Sequence, residues 1–238
     1  MNIFKTYLTV NSLRVSAMVY KSHSPFTCIF THGFTTSKQD LTSWLMKCAE
    51  LKISCCIFDL PNHLLGESTP VSSDIFKEES HLLFHEAEKL FPSTQKFVYG
   101  GFSLGSLFAI EASLKKSPAA LILAGFGFDD NYKEHIYESQ AFSFLLQFRS
   151  KLIVNLDSKD LFRWVQKKKE KMILQHQEII LISGEDDLVV GKQGMENLSM
   201  FLGETNNYTI IKPPYLGHHF PDKISSFLER PLRKVLGF

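Results

Sequence analysis

The chain has 238 residues, 44% hydrophobic and 21% charged, which is the composition of a folded globular protein with one sizeable core. Its formal net charge of +1 gives no reason to expect a nucleic acid or an anionic membrane surface as partner. No apolar run approaches the about 20 residues of a membrane-spanning helix, so we expect no membrane span.

Short β-rich runs alternate along the chain with stretches of helical periodicity. Residues 3–20 predict two strands with a turn near Asn11 and Ser12, and the later strands are predicted at 26–31, 54–60, 97–101, 119–124, 178–183 and 208–212. Helices are predicted from Ser37 through Leu51, over 74–90 and 104–115, and near 222–236. This order predicts an α/β fold with a mostly parallel, twisted sheet of about eight strands flanked by helices.

One interval breaks the alternation. Residues 126–175 contain no convincing strand, but many aromatic side chains among charged ones. We interpret this interval as helices inserted between two strands. The predicted organisation is therefore a core formed by residues 1–125 and 176–238, with a helical cap at 126–175.

A pentapeptide of the form G-x-S-x-G, from Gly101 to Gly105, joins a predicted strand to a predicted helix. The sharp turn needed to expose a serine hydroxyl leaves little room for side chains at the two glycines. The N-terminus of the following helix also favours developing negative charge. We therefore predict Ser103 as a catalytic nucleophile.

A serine nucleophile needs a base, and the base needs a carboxylate that orients it. Three acids, Glu185, Asp186 and Asp187, follow one late strand, and two histidines, His218 and His219, follow the next. Functional residues gather at the carboxyl ends of parallel strands. Where a serine nucleophile lies on a turn between a strand and a helix, the acid and then the histidine follow it along the chain. The acid and the base are therefore expected within these two groups.

These residues resemble the α/β-hydrolase superfamily along nearly the whole chain. The resemblance rests on His32-Gly33-Phe34, on 101–105, on 184–190 and on Gly217-His218. It implies that the acid is Asp187, with Asp186 as the runner-up and Glu185 after it. It implies that the base is His218, although His219 follows directly and is the alternative.

The same resemblance implies an oxyanion hole formed by two backbone amides, those of Phe34 and Leu104. It implies that His32 holds its loop rather than acting as the base. Residues 59–68 resemble a further loop of the family but depart from it, with Asn62 in place of a glycine and one extra residue before Gly66.

The implied activity is that of a serine carboxylesterase or thioesterase for small to medium acyl groups, with no cofactor and no metal. A serine at the turn argues against epoxide hydrolases and haloalkane dehalogenases of this fold, which use aspartate there. The alternatives are a pimeloyl-type methyl esterase for carrier-protein-linked substrates, a peptidase, and a non-catalytic binding module. The basic run 167–171 is the feature that would attract a carrier-linked substrate, although a solvated helix face explains it as well.

Four cysteines, Cys28, Cys48, Cys55 and Cys56, have spacings that suit buried thiols rather than disulfides or a zinc site. The N-terminus shows no signal-peptide pattern. We therefore expect a cytoplasmic protein.

Overall fold

The computed structural model of the protein describes residues 2–128, 140–191 and 193–237. Its centre is one eight-stranded sheet. The strands in chain order are β1 Ile3–Val10, β2 Leu13–Tyr20, β3 Phe26–Thr31, β4 Ser54–Phe58, β5 Lys96–Phe102, β6 Ala120–Ala124, β7 Glu178–Ile182 and β8 Asn207–Ile211. All the predicted strands are confirmed, with ends shifted by one or two residues.

The sheet is antiparallel at one edge and parallel elsewhere. Its order is β1-β2-β4-β3-β5-β6-β7-β8, with antiparallel pairing of β1 to β2 and of β2 to β4. Every residue of β4 and β6 is buried, because helices cover both faces of the central strands. The predicted fold class is thereby confirmed, and the carboxyl ends of β3, β5, β6, β7 and β8 meet along one edge.

The helices of the described ranges are α1 Thr42–Glu50, α2 Ser73–Glu79, α3 Leu82–Glu88, α4 Leu104–Ser113, α5 Gln140–Arg149, α6 Ser158–Lys169, α7 Gly194–Leu202, α8 Pro221–Ile224 and α9 Glu229–Leu236. Among them, none has the length and apolar character required to cross a lipid bilayer. Helix α7 is not among the predicted elements, although its buried Met195, Leu198 and Leu202 have helical spacing.

Two helices predicted as continuous are interrupted. The helix predicted over 74–90 is divided into α2 and α3, where the Ser80 hydroxyl donates to the Phe76 carbonyl (2.6 Å) and competes for the helical hydrogen bond. The helix predicted near 222–236 is divided into α8 and α9. Pro231 has no amide hydrogen to donate to residue 227, so it is accommodated only in the first turn of a new helix.

The interval 126–175 contributes α5 and α6, which lie beside the carboxyl edge of the sheet. Phe162 of α6 packs edge-on against Phe34, with ring centroids 5.3 Å apart. The Leu64 amide donates to the Leu152 carbonyl (2.9 Å), which ties the interval to the loop after β4. Part of the predicted cap, residues 129–139, lies outside the described residues, and the division into core and cap stays a prediction.

Candidate active site

Ser103 occupies the tight turn between β5 and α4. Its backbone is in the positive-φ region (φ 51°, ψ −115°), and its amide donates to the Ala124 carbonyl at 2.7 Å. A Cβ on Gly105 would lie 2.4 Å from the Thr31 carbonyl oxygen, so only glycine permits this approach of α4 to β3. The turn therefore has the strained geometry that the pentapeptide predicts.

Three of the predicted site residues meet in one hydrogen-bonded chain. His218 Nε2 lies 3.2 Å from Ser103 Oγ. On the other side of the ring, His218 Nδ1 lies 2.9 Å from Asp187 Oδ2 and 3.1 Å from Oδ1. These distances are within the range for a nucleophile, a base and a carboxylate that orients it.

Asp187 is held by several donors in addition to His218. The Ser183 hydroxyl donates to Oδ2 (2.8 Å), and the amides of Val189 and Val190 donate to Oδ1 (3.0 and 3.1 Å). Burial on its own raises the pKa of Asp187, but these hydrogen bonds, with that of His218 the largest, outweigh it and lower the pKa. An ionised carboxylate only accepts, so His218 carries its proton on Nδ1 and presents Nε2 as the acceptor to Ser103.

The neighbouring candidates have other partners. Asp186 is exposed, and its Oδ2 accepts the Tyr215 amide at 3.0 Å. His219 is also exposed, and its Nδ1 lies 3.1 Å from the guanidinium of Arg149. Glu185 is exposed as well. The geometry therefore favours Asp187 over the two adjacent acids and His218 over its neighbour.

A close backbone contact brings the acid and the histidine loops together. A Cβ on Gly184 would lie 1.6 Å from the Leu216 carbonyl oxygen, so any side chain there would force the two loops apart. Gly184 follows β7 and Leu216 follows β8, which are adjacent strands. The glycine of the acidic loop thus has a packing role that places Asp187 beside His218.

The two predicted oxyanion donors lie beside the nucleophile. Phe34 and Leu104 line the same small cavity as Ser103. The loop that carries Phe34 is close enough that a Cβ on Gly33 would lie 3.2 Å from the Ser103 Cβ. The role of the two amides as donors to an oxyanion stays a prediction.

Buried histidines support this loop. His32 Nε2 accepts the Leu60 amide (2.8 Å), and its Nδ1 donates to the Gly33 carbonyl (2.8 Å). Burial lowers the pKa of His32 to about 4, and burial followed by the neighbouring His32 lowers the pKa of His63 to about 3. Both rings are neutral at pH 7, so the 3.8 Å approach of His32 to Asp59 is not an ion pair. His32 lies between two backbone groups and away from the base position.

The two buried histidines predict an acid-sensitive fold. Their pKa values in the folded protein lie below the unfolded value of 6.5, so the unfolded state binds more protons. The unfolded state is therefore increasingly favoured as pH falls. We expect protonation of the two histidines in the unfolded state to lower the free energy of unfolding by about 2 kcal/mol between pH 5.5 and 4.5, on the order of 1 kcal/mol per histidine. Urea unfolding of the wild type and of His63→Leu at both pH values measures this. In His63→Leu the free energy of unfolding should change less between the two pH values, by about 1 kcal/mol, and an unchanged pH dependence would contradict the assignment.

A buried ion pair fixes the loops behind the site. Lys38 donates to Asp59 both from Nζ (2.6 Å) and from its amide (2.8 Å), and the Glu67 amide donates to the same carboxylate (2.9 Å). Asn62 has φ 65° and exchanges two hydrogen bonds with Val71. Glycine adopts a positive φ freely and asparagine tolerates it, so Asn62 is compatible with the backbone conformation of this loop.

Ser103 lies between two cavities. The first, about 90 Å³, is also lined by Phe102, Leu145, Arg149 and His219. The second, about 30 Å³, is lined mainly by apolar side chains, among them Phe126, Leu161, Val165 and Val190. The nucleophile therefore faces two spaces with mainly apolar side chains, and each has one cationic side chain in its lining, Arg149 in the first and Lys169 in the second.

Ser183 and Arg149 contribute to the site but are not among the residues predicted for it. Ser183 ends the strand that precedes the acidic loop, so its position is a usable signal. Arg149 lies on α5, and no motif marks it.

The basic run 167–171 is not one exposed patch. Lys168 donates to Glu111 (2.6 Å), and the buried Lys169 donates to the Gly127 carbonyl (2.6 Å). Across the three described ranges, no cluster of His, Cys, Asp or Glu side chains is arranged to hold a metal ion.

No protein-family model matches the sequence, and no curated protein matches it either. Solved structures do match. A thermostable carboxyl esterase from Bacillus coagulans is 15% identical with a TM-score of 0.70, and the match covers 99% of each chain. A lipase in its open form is 11% identical with a TM-score of 0.71 and full coverage of both chains.

A laboratory-evolved variant of a potato epoxide hydrolase is 13% identical with a TM-score of 0.70, covering 98% of this chain and 100% of the other. At such low identity these likenesses establish the fold and nothing finer. The chain has the α/β-hydrolase fold, which confirms the resemblance seen in the sequence.

Proposed function

We propose that the protein is a serine hydrolase that cleaves carboxylic esters or thioesters of small to medium acyl groups. The observation that carries the proposal is the hydrogen-bonded chain from Ser103 through His218 to Asp187, at 3.2 and 2.9 Å, beside two cavities. Solved structures of the same fold include a carboxyl esterase and a lipase, which supports a hydrolytic role. They also include an epoxide hydrolase, so the choice of an acyl substrate rests on the serine.

In the proposed reaction, His218 Nε2 accepts the hydroxyl proton as Ser103 Oγ attacks the acyl carbon. The amides of Phe34 and Leu104 stabilise the oxyanion, together with the N-terminus of α4. His218 then gives its proton to the leaving alcohol or thiol, and an acyl-enzyme remains. Water, deprotonated by His218, hydrolyses the acyl-enzyme and restores the Ser103 hydroxyl. Asp187 keeps the imidazole in the required tautomer and stabilises its protonated form.

We further propose that residues 126–175 form a cap over this centre. Phe162 and Val165 of α6 lie over the smaller cavity beside Ser103. Apart from Lys169, which donates to the Gly127 carbonyl, the side chains that line that cavity are mainly apolar and suit an acyl chain, and the small volume of the cavity favours a short one. The substrate would then enter between α5 and the loops after β7 and β8.

A fluorophosphonate probe and an ester series test the proposed function. We expect the probe to modify Ser103, as located by peptide mass spectrometry, and p-nitrophenyl esters from acetate to palmitate to be hydrolysed best at the short end. His219→Gln should retain the labelling, whereas His218→Gln should lose it. A folded wild type that neither reacts with the probe nor hydrolyses any ester would instead indicate a non-catalytic binding module.

A further inference from the structure

Arg149, the last residue of α5, lines the larger cavity together with Ser103 and His218. It is half-buried, and its guanidinium donates to His219 Nδ1 at 3.1 Å. Within the described parts of the chain, that imidazole is its one hydrogen-bonding partner, and no carboxylate pairs with it. The guanidinium therefore brings a positive charge and several unused donors to the space beside the nucleophile.

A charge in this position is costly unless an anion compensates it. Burial lowers the pKa of Arg149, but a guanidinium remains protonated at any physiological pH. Its planar donors match the two oxygens of a carboxylate or the oxygens of a phosphate. An anionic group in the cavity would recover the interaction that the protein itself leaves unmade.

Neither of the two polar neighbours of Arg149 in the cavity compensates its positive charge. His219 accepts from Arg149 on Nδ1, so its proton is on Nε2 and it adds a second donor to the cavity. Although His219 as a whole is exposed, partial desolvation of its ring, followed by the charge of Arg149, lowers its pKa and favours the neutral ring. Asp40, the one acid in the described lining, accepts the Ser37 amide at 3.1 Å and forms no ion pair with Arg149.

We propose that Arg149 binds an anionic oxygen group of the substrate, so that the preferred esters carry an ionised carboxylate or phosphate a short chain away from the scissile bond. This inference rests on the proposed function, because the scissile ester must reach Ser103. The anionic group is bound but not altered: hydrolysis of a half-ester of a dicarboxylic acid would give the dicarboxylate and an alcohol. Nε2 of His219 is the second donor to the same group.

Pairs of esters with and without the anionic group test the proposal. Monomethyl adipate is compared with dimethyl adipate, and 2-acetoxyethyl phosphate with 2-hydroxyethyl acetate. We expect Arg149→Gln to lower kcat/KM for one or both anionic esters by about 10- to 100-fold, and to leave the neutral esters within about twofold. The pair that loses its preference identifies a carboxylate or a phosphate as the bound group.

Lys151→Gln is the control for a general loss of charge. Lys151 is exposed, stacks over Phe148 and does not line the cavity, so this variant should keep the preference of the wild type. Equal losses on charged and neutral esters in Arg149→Gln would overturn the proposal, and so would no loss on either. A similar loss of preference in Lys151→Gln would also overturn it.

A binding measurement separates this inference from the proposed function. In Ser103→Ala protein, calorimetric titration with monomethyl adipate and with 2-acetoxyethyl phosphate should show binding of the preferred ester. The double variant that adds Arg149→Gln should bind it about 10- to 100-fold more weakly. If the wild type hydrolyses none of the esters, the proposed function fails, and this titration still decides the anion site. If the neutral esters are hydrolysed and the titrations show no dependence on Arg149, only the anion site fails.

Discussion

Ser103→Ala is expected to lower kcat for p-nitrophenyl butyrate by about 10⁴- to 10⁶-fold, the range found when a serine nucleophile of this type is removed. Without Oγ, no acyl-enzyme forms, and only the surrounding donors and the binding of the ester remain to assist direct attack by water. Among the described residues, the Ser103 hydroxyl has one hydrogen-bonding partner, His218, so the fold should be preserved. Steady-state hydrolysis assays, with circular dichroism as the check on folding, measure the effect.

Ser106→Ala is the matched control for this prediction. Ser106 lies three residues further along, fully buried, and its hydroxyl donates to the Gly101 carbonyl at 2.7 Å. Its loss should lower stability by about 1 kcal/mol and leave kcat within a few-fold. Residual activity above one per cent in Ser103→Ala would place the nucleophile elsewhere.

Asp187→Asn is expected to lower kcat at pH 7 by about 10⁴-fold, as in other triads where the carboxylate becomes an amide. The amide group of the asparagine can donate to His218 Nδ1, which would move the imidazole proton to Nε2. That nitrogen could then no longer accept the proton of Ser103, although the heavy-atom geometry is preserved. The rate of fluorophosphonate labelling should fall with kcat, because both depend on deprotonation of Ser103.

Asp186→Asn provides the comparison within the same loop. Its carboxylate accepts the backbone amide of Tyr215, has no other partner within the described ranges, and is exposed. We expect kcat to change by no more than about threefold. A loss in Asp186→Asn as large as that in Asp187→Asn would contradict the assignment of the acid.

The elements that depend on local pattern were predictable. The strands could be predicted because an apolar β-rich run between turn residues is stable as a strand only when it is buried in a sheet. The breaks at Ser80 and Pro231 could not be read from periodicity, which continues across both. Each break depends on a single hydrogen bond. At Ser80 the hydroxyl competes for the Phe76 carbonyl, and at Pro231 the amide hydrogen is missing.

The sequence by itself determined the candidate nucleophile, because the glycines around Ser103 are demanded by the turn in which they lie. It also limited the acid and the base to three and two neighbouring residues. Within these groups the family resemblance ranked Asp187 and His218 first, but only the tertiary structure gives the physical reason, because adjacent side chains on a loop point in different directions. Those directions depend on contacts between β7, β8 and α5, which are distant in sequence. The role of Arg149 likewise depends on the tertiary structure. Its position on α5 is local, but it lies beside Ser103 only because α5 packs over the carboxyl edge of the sheet.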